Sequence, residues 1–155
     1  MLDAVIREMA QNLHGSFATD QDIRFLRSSI SKVLLPDWFV DLLIQTRLSG
    51  VHFSLTEYDD ESKLGADVIW LTPRQIVSEA TESQPGISIV PLGYLPIGAC
   101  ALGSGDPYFL DMREAINDPP VVRVPHDYAG KAPYPLDRVE RVTDSLSGFF
   151  RKAKL

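Results

Sequence analysis

The segment Gly103-Ser104-Gly105-Asp106 has the residue types most suggestive of chemistry, since glycines beside an acid can cradle a phosphate or place a carboxylate on a metal. A phosphate-binding loop needs a strand before it, a helix after it and usually a lysine. Here a strand is predicted to follow at residues 108–110, and no lysine is near in the sequence. The segment therefore favours a tight hairpin turn, in which Gly103, Gly105 and Asp106 are structural residues.

The three histidines do not indicate a metal site, because His14, His52 and His126 are far apart and share no metal-ligand spacing. Acid–base catalysis by His126 and the adjacent Asp127 is also disfavoured, since neighbouring strand residues point to opposite faces. Cys100 lies in an apolar stretch without neighbouring cations, which predicts an inert buried thiol. The sequence therefore predicts no catalytic residue, no metal and no cofactor. A small hydrolase that uses Cys100 or a His–Asp pair is kept as an alternative.

A third feature is the acidic turn formed by Asp59, Asp60 and Glu61. Such a turn is usually a solvated loop, because short polar side chains compete for backbone partners there. It is also suited to a binding face for a basic partner, whose encounter the carboxylates would accelerate. Both interpretations stay open, and the three acids are the candidate partner-binding residues.

The composition indicates one globular domain, because the chain has 155 residues, of which 45% are hydrophobic and 23% charged. The formal net charge of −6 disfavours non-specific binding to nucleic acid or to an anionic membrane. The single cysteine suits a reducing compartment, and the acidic N-terminus has no secretory signal, so we expect a cytoplasmic protein. Prolines and glycines interrupt the uncharged stretch 83–105, which predicts strands and turns rather than a membrane span.

Apolar spacing and capping residues predict the helices that must position these side chains. Residues 2–13 have helical spacing, and Thr19 with Asp22 forms a capping-box pattern at the start of a second helix. Pro36 suits the first position of a third helix, which Gly50 is expected to end.

The rest of the chain is predicted to be rich in strands. Thr72, Pro73 and Gln75 are typical of a helix start within this region, and apolar residues at spacings of three and four predict a closing helix from Leu136 to Phe150. Strands are predicted at 51–55, 66–71, 87–90, 94–102, 108–110 and 121–124. Because strands follow one another through short turns, the predicted class is α+β with a mainly antiparallel sheet flanked by helices.

Several short motifs occur in an order that is similar to that of a known family. They are Leu35-Pro36-Asp37-Trp38 before Leu43 and Gly50, the strand Val68 to Leu71 before the helix Pro73 to Ala80, Ile89 to Gly93, Gly103 to Asp111, Val121 to His126, and Ser145 to Phe150. In this order they resemble the SUKH superfamily, the Smi-and-Knr-like proteins. The resemblance covers a core of about residues 19–152 within a single domain of 1–155, to which the helix 2–13 is added. The uncharged stretch 94–102 departs from the family pattern.

The resemblance implies the SUKH fold, which is α+β with a mainly antiparallel sheet. Many bacterial members are immunity proteins that bind and neutralise a cognate secreted toxin, often a nuclease, and other members are regulatory scaffolds. Neither role requires a catalytic residue. We therefore expect a protein-binding domain rather than an enzyme, with a toxin domain as its partner and no direct contact with nucleic acid or membrane. A regulatory interaction module without a toxin is the second hypothesis.

Overall fold

The computed structural model describes residues 2–102 and 105–155 and confirms the predicted α+β class. The helices are α1 (Leu2–Ala10), α2 (Asp20–Ser29), α3 (Asp37–Gln45), α4 (Pro73–Thr81), α5 (Gly86–Ile89) and α6 (Leu146–Lys152). The strands are β1 (His52–Leu55), β2 (Ala66–Trp70), β3 (Tyr94–Cys100), β4 (Tyr108–Asp111), β5 (Val121–Arg123) and β6 (Glu140–Thr143). In this part of the chain, no helix is both long and apolar enough to cross a lipid bilayer.

The six strands form one sheet in which each strand is antiparallel to the next along the chain. The predicted antiparallel sheet is therefore confirmed. The sheet curls, and segments outside the strands bond to β1 and β6. The Glu61 N–H donates to the Val142 carbonyl of β6 at 2.9 Å, while Ser54 of β1 exchanges two backbone hydrogen bonds with Lys154, both at 2.8 Å.

Two apolar clusters lie on opposite faces of the central strands, because successive strand residues point to opposite sides. Tyr108 and Leu110 belong to the larger cluster, whereas Phe109 belongs to the smaller one, together with Ile89 of α5. Both faces are therefore covered, which explains why β4 and β5 are buried along their whole length and are apolar except for Asp111 and Arg123 at their ends.

A cluster of aromatic side chains packs α6 against the first two strands. The ring centroids of Phe53 in β1 and Phe149 in α6 are 5.6 Å apart, and those of Trp70 in β2 and Phe150 are 5.7 Å apart. Edge-on and tilted rings at this spacing add to the free energy gained from apolar burial. The other side of α6 contacts α1, so the first and last helices of the described residues lie together.

The predicted helix starts are confirmed where capping residues determine them. The Thr19 side chain accepts from Asp22 N at 3.1 Å at the start of α2. At α4, Thr72 accepts from Gln75 N at 3.2 Å and the Gln75 side chain accepts from Thr72 N at 2.9 Å. Pro36 differs slightly, because it is the residue before α3 rather than its first residue.

Two predicted elements are wrong. The predicted strand 87–90 is the short helix α5 followed by a 3-10 turn, because an apolar run of this length fits a buried helix as well as a strand. The predicted closing helix 136–150 contains strand β6 and only then α6, which begins after Ser145 caps Gly148 N at 3.0 Å. The apolar spacing of three and four residues fits a helix, but the segment also contains the β-branched Val142 and Thr143, which favour a strand.

Candidate functional site

The acidic turn lies in the loop of residues 56–65, which joins β1 to β2. Its central residue, Asp60, has an exposed fraction of 0%, so it is an internal residue. Its Oδ2 accepts from Arg123 Nη2 at 3.0 Å, and its Oδ1 accepts from the Ser62 N–H and hydroxyl, both at 2.7 Å. This corrects the expectation for Asp60, because a carboxylate without surface cannot contact a partner while the loop keeps this conformation.

Arg123 of β5 is the residue that holds the loop. It is only 4% exposed, and besides Asp60 it donates to the Gly65 carbonyl at 2.6 Å and to the Ser62 hydroxyl at 2.8 Å. Its guanidinium also lies 5.2 Å from the ring centre of Tyr108. Burial by itself would lower the pKa of Arg123, but the contacts with Tyr108 and Asp60 raise it above its usual value. The arginine is therefore charged, and its hydrogen bonds fix the course of the loop.

The surface of the loop has both exposed apolar side chains and exposed acidic side chains. Tyr58 is 83% exposed and Leu64 is 66% exposed, so this one loop has two large apolar side chains at its surface. Glu61 is exposed beside them, and Asp59 is half-buried and accepts from the Thr56 hydroxyl at 3.3 Å. The prediction of an acidic partner-binding surface thus stays a prediction for Asp59 and Glu61.

The pKa of Glu61 is raised above its ordinary value, first by partial burial and then by the carboxylate of Asp144. Arg141 and Lys152 oppose this shift because their positive charges favour the ionised carboxyl. Glu61 and Asp144 therefore place two acids side by side where loop 56–65 meets β6. A cation from a partner would relieve their mutual repulsion.

The predicted hairpin lies between β3 and β4, whose antiparallel register pairs Tyr94 with Asp111. Gly103 and Ser104 lie outside the described residues. Gly105 has a φ of +82°, a conformation that favours glycine, and the Asp106 carboxylate accepts from the His126 backbone N–H at 3.0 Å. These are the geometries that the predicted structural role of Gly105 and Asp106 requires.

Among the described residues the structure brings two His–Asp pairs together: His52 with Asp67 at 3.1 Å, and His126 with an acid other than the one adjacent to it in sequence. His126 Nδ1 lies 2.5 Å from Asp106 Oδ1, whereas Asp127 is 3.8 Å from Nε2. The hydrogen bond with Asp106 is the main cause of the raised pKa of His126. The other two histidines, His14 and His52, are exposed and lie elsewhere on the surface.

Cys100 is half-buried at the end of β3 rather than fully buried as the sequence predicts. Across residues 2–102 and 105–155, no group of three or more histidine, cysteine, aspartate or glutamate side chains is arranged to hold a metal ion.

Comparison of the chain with protein-family models, with curated proteins and with solved structures finds no match. Membership of the Smi-and-Knr-like proteins therefore stays a prediction from the sequence motifs described above. The geometry of loop 56–65 is the more specific observation about this chain.

Two residues of this site were not identified from the sequence. Arg123 is a charged residue in the otherwise apolar run Val121 to Val124, and a lone charge in a buried strand is the signal that indicates an internal ion pair. Tyr58 has no comparable signal, because the exposure of one loop residue depends on how the whole loop is folded.

Proposed function

We propose that this chain is a non-enzymatic protein-binding domain whose partner contacts the outer side of loop 56–65. The observation that carries the proposal is the exposure of Tyr58 and Leu64 on one ordered loop. The buried ion pair between Arg123 and Asp60 holds this loop in its conformation. Tyrosine is enriched among the residues that dominate binding energies at protein interfaces. A loop that is already ordered loses little conformational freedom on binding, so more of the contact energy becomes affinity.

The charge of the surface indicates the chemistry of the partner. Glu57, Asp59 and Glu61 lie next to Tyr58 in the loop sequence, and Asp144 lies beside Glu61. These four acids outnumber the three cations of this region, Lys63, Arg141 and Lys152, and the whole chain has a formal net charge of −6. An acidic rim attracts a basic protein and accelerates its association. Together with the motif resemblance, this favours a bacterial immunity protein that binds and neutralises a basic toxin domain, such as a nuclease.

The experiment starts from a toxin-like product of a neighbouring gene, expressed with and without this chain. We expect the chain to rescue growth and to form a complex whose dissociation constant rises by about tenfold or more in Tyr58→Ala. The matched control is Val33→Ala, which truncates another strongly exposed apolar side chain and should leave binding unchanged. Charge reversal by Glu61→Lys should slow association most at low salt.

Equal binding by wild type, Tyr58→Ala and Val33→Ala would contradict the assignment of loop 56–65. No rescue and no complex with the neighbouring product would contradict the immunity role. A stable complex with one of the cell's own regulatory proteins that depends on Tyr58 would instead support the regulatory scaffold.

A further inference from the structure

A cleft of about 440 Å³ lies beside the edge strand β1, between α1, the end of α6 and the residues that follow α6. Apolar side chains from all of these elements line it: Val5, Met9, Phe53, Phe150, Ala153 and Leu155. Its volume falls within the range of small-molecule sites, which are mostly apolar with a few polar groups.

The walls of this cleft are fixed by contacts within the fold. The rings of Phe53 and Phe150, which line the cleft, are buried with their centroids 5.7 Å apart. On the opposite side, two backbone hydrogen bonds of 2.8 Å between Ser54 and Lys154 hold the segment after α6 against β1. The cleft is therefore already formed, and a ligand that enters it does not have to order its walls.

Three polar side chains line the same cleft, and all three are exposed at its rim. Glu8 and Asn12 come from α1 and the turn after it, and Arg151 comes from the last turn of α6. The Glu8 carboxylate only accepts hydrogen bonds, the Arg151 guanidinium only donates them, and the Asn12 amide does both. Among the described residues that line the cleft, Glu8 and Arg151 are the charged side chains. The cleft thus combines one negative and one positive charge with an apolar floor.

We propose that this cleft binds a free α-amino acid with an apolar side chain. The ammonium group of the ligand donates to the Glu8 carboxylate, its carboxylate accepts from Arg151, and its side chain packs against Phe53 and Phe150. A single carbon atom joins the two charged groups of an amino acid, so one end of the ligand carries both charges and the other end is apolar. This inference is independent of the function proposed for loop 56–65.

The pairing of opposite charges at the rim is what selects this class of ligand. An apolar anion meets Arg151 but is repelled by Glu8, and an apolar amine is attracted by Glu8 but repelled by Arg151. The first or last residue of a peptide has only one of the two charges next to its side chain. Arg151 already interacts within the chain, but its guanidinium has five N–H donors and can serve a ligand as well. A free amino acid makes a charge-assisted hydrogen bond with each side chain.

The test is a titration of the folded chain with L-phenylalanine at about pH 6, where the cleft and the ligands have their charges, followed by amide NMR shifts. We expect saturable shifts around Met9, Phe53 and Ala153, with a dissociation constant in the millimolar range or tighter. N-acetyl-L-phenylalanine keeps only the carboxylate, and L-phenylalanine amide keeps only the ammonium group. Each should therefore bind more weakly by about tenfold or more.

Two variants assign each charge of the ligand to its side chain. In Glu8→Gln, L-phenylalanine and its N-acetyl form should bind equally, because the ammonium group has lost its acceptor. In Arg151→Gln, L-phenylalanine and its amide should bind equally. The matched controls are Asp3→Asn and Lys152→Gln, which remove a charge from the same two helices outside the cleft lining and should leave binding unchanged. All four side chains are exposed, so we expect each variant to fold.

Three results would overturn the inference. Equal affinity for the three ligands would show that the apolar floor alone binds them, and tighter binding of either blocked form would assign the cleft to the end of a peptide. Absence of saturation up to about 20 mM, or equal weakening in the control variants, would exclude the site. The Tyr58→Ala variant should titrate like wild type, so a failure here and a failure of the function proposed for loop 56–65 are distinguishable.

Discussion

Removal of the Asp60 carboxylate should destabilise the fold far more than removal of its neighbour. The change Asp60→Ala leaves the guanidinium of Arg123 in the interior, 4% exposed, with the longer 3.5 Å contact to the half-buried Glu140 as its remaining ion pair. Breaking a buried ion pair from one side costs about 3–5 kcal/mol, because the remaining charge is desolvated and unpaired. The variant also loses two hydrogen bonds from Ser62, both at 2.7 Å, while the contact with Glu140 offsets part of the cost, so we expect a loss within this range.

Urea unfolding at pH 7 measures this loss as a difference in the free energy of unfolding. Domains usually have a free energy of unfolding of about 5–15 kcal/mol. A loss of about 3–5 kcal/mol therefore lowers the urea concentration at the unfolding midpoint by a large fraction. Asp59→Ala is the matched control, since Asp59 is half-buried and only accepts from Thr56 at 3.3 Å. It should change the free energy of unfolding by less than about 1 kcal/mol.

The double variant Asp60→Ala with Arg123→Met tests the cause. Removing both charges leaves no unpaired ion in the interior, so we expect the double variant to regain about half of the lost stability or more. A loss below about 1 kcal/mol in Asp60→Ala would refute the reasoning. A double variant as unstable as the sum of its single variants would refute it as well.

Three further predictions concern other sites. Because burial raises the folded pKa of Glu79 to about 7 from 4.5, the stability gained by its protonation is complete below about pH 4.5 and is lost as pH rises through 7. Glu79→Gln should therefore raise the free energy of unfolding by about 1–3 kcal/mol at pH 8 and by little at pH 5 in urea titrations, and an equal effect at both would contradict this. Asp106→Asn should return the pKa of His126 toward its ordinary value in an NMR titration, since their hydrogen bond is its main cause; an unchanged pKa would exclude that cause. Gly98→Ala should lower stability by about 1–3 kcal/mol in urea unfolding, because its Cβ would lie 2.3 Å from Val68 Cγ1, and an unchanged midpoint would show that the strand shifts freely.

The parts of the fold that were predictable from the sequence depend on local chemistry. The capping residues Thr19 and Thr72 each satisfy N–H groups within the first turn of their own helix, so the start of α2 and of α4 follows from a few neighbouring residues. The antiparallel meander was predictable because strands that follow one another along the chain usually pair, although the connection of residues 71–93 between β2 and β3 contains two helices. The α5 segment was predicted as a strand and β6 as part of a helix, because over so few residues the apolar spacing fits both a helical and a strand period.

The candidate site was only partly predictable, because it depends on contacts between distant segments. The acidic turn was located correctly, but Asp60 is separated from Arg123 by 63 positions, and a spacing within the turn carries no information about such a partner. The same holds for Glu79, whose environment comes from Gly86 and from the packing of the α4–α5 corner. An acid that stabilises the interior differs from a surface acid in its burial. Burial depends on the contacts of the folded chain, so the local sequence does not give it.

The contacts that cover the curled sheet have a consequence for the order in which the chain can assemble during synthesis. Strands β1 to β5 pair with neighbours made shortly before them, so most of the sheet can form while the C-terminal part is still inside the ribosome. Val142 and Lys154, which bond to the loop after β1 and to β1 itself, are made after all five of these strands. Until they emerge, both segments have unsatisfied backbone groups that another nascent chain can pair with. Emergence of β6 and of the segment that contains Lys154 is therefore the step that protects β1 and its following loop from pairing with another chain.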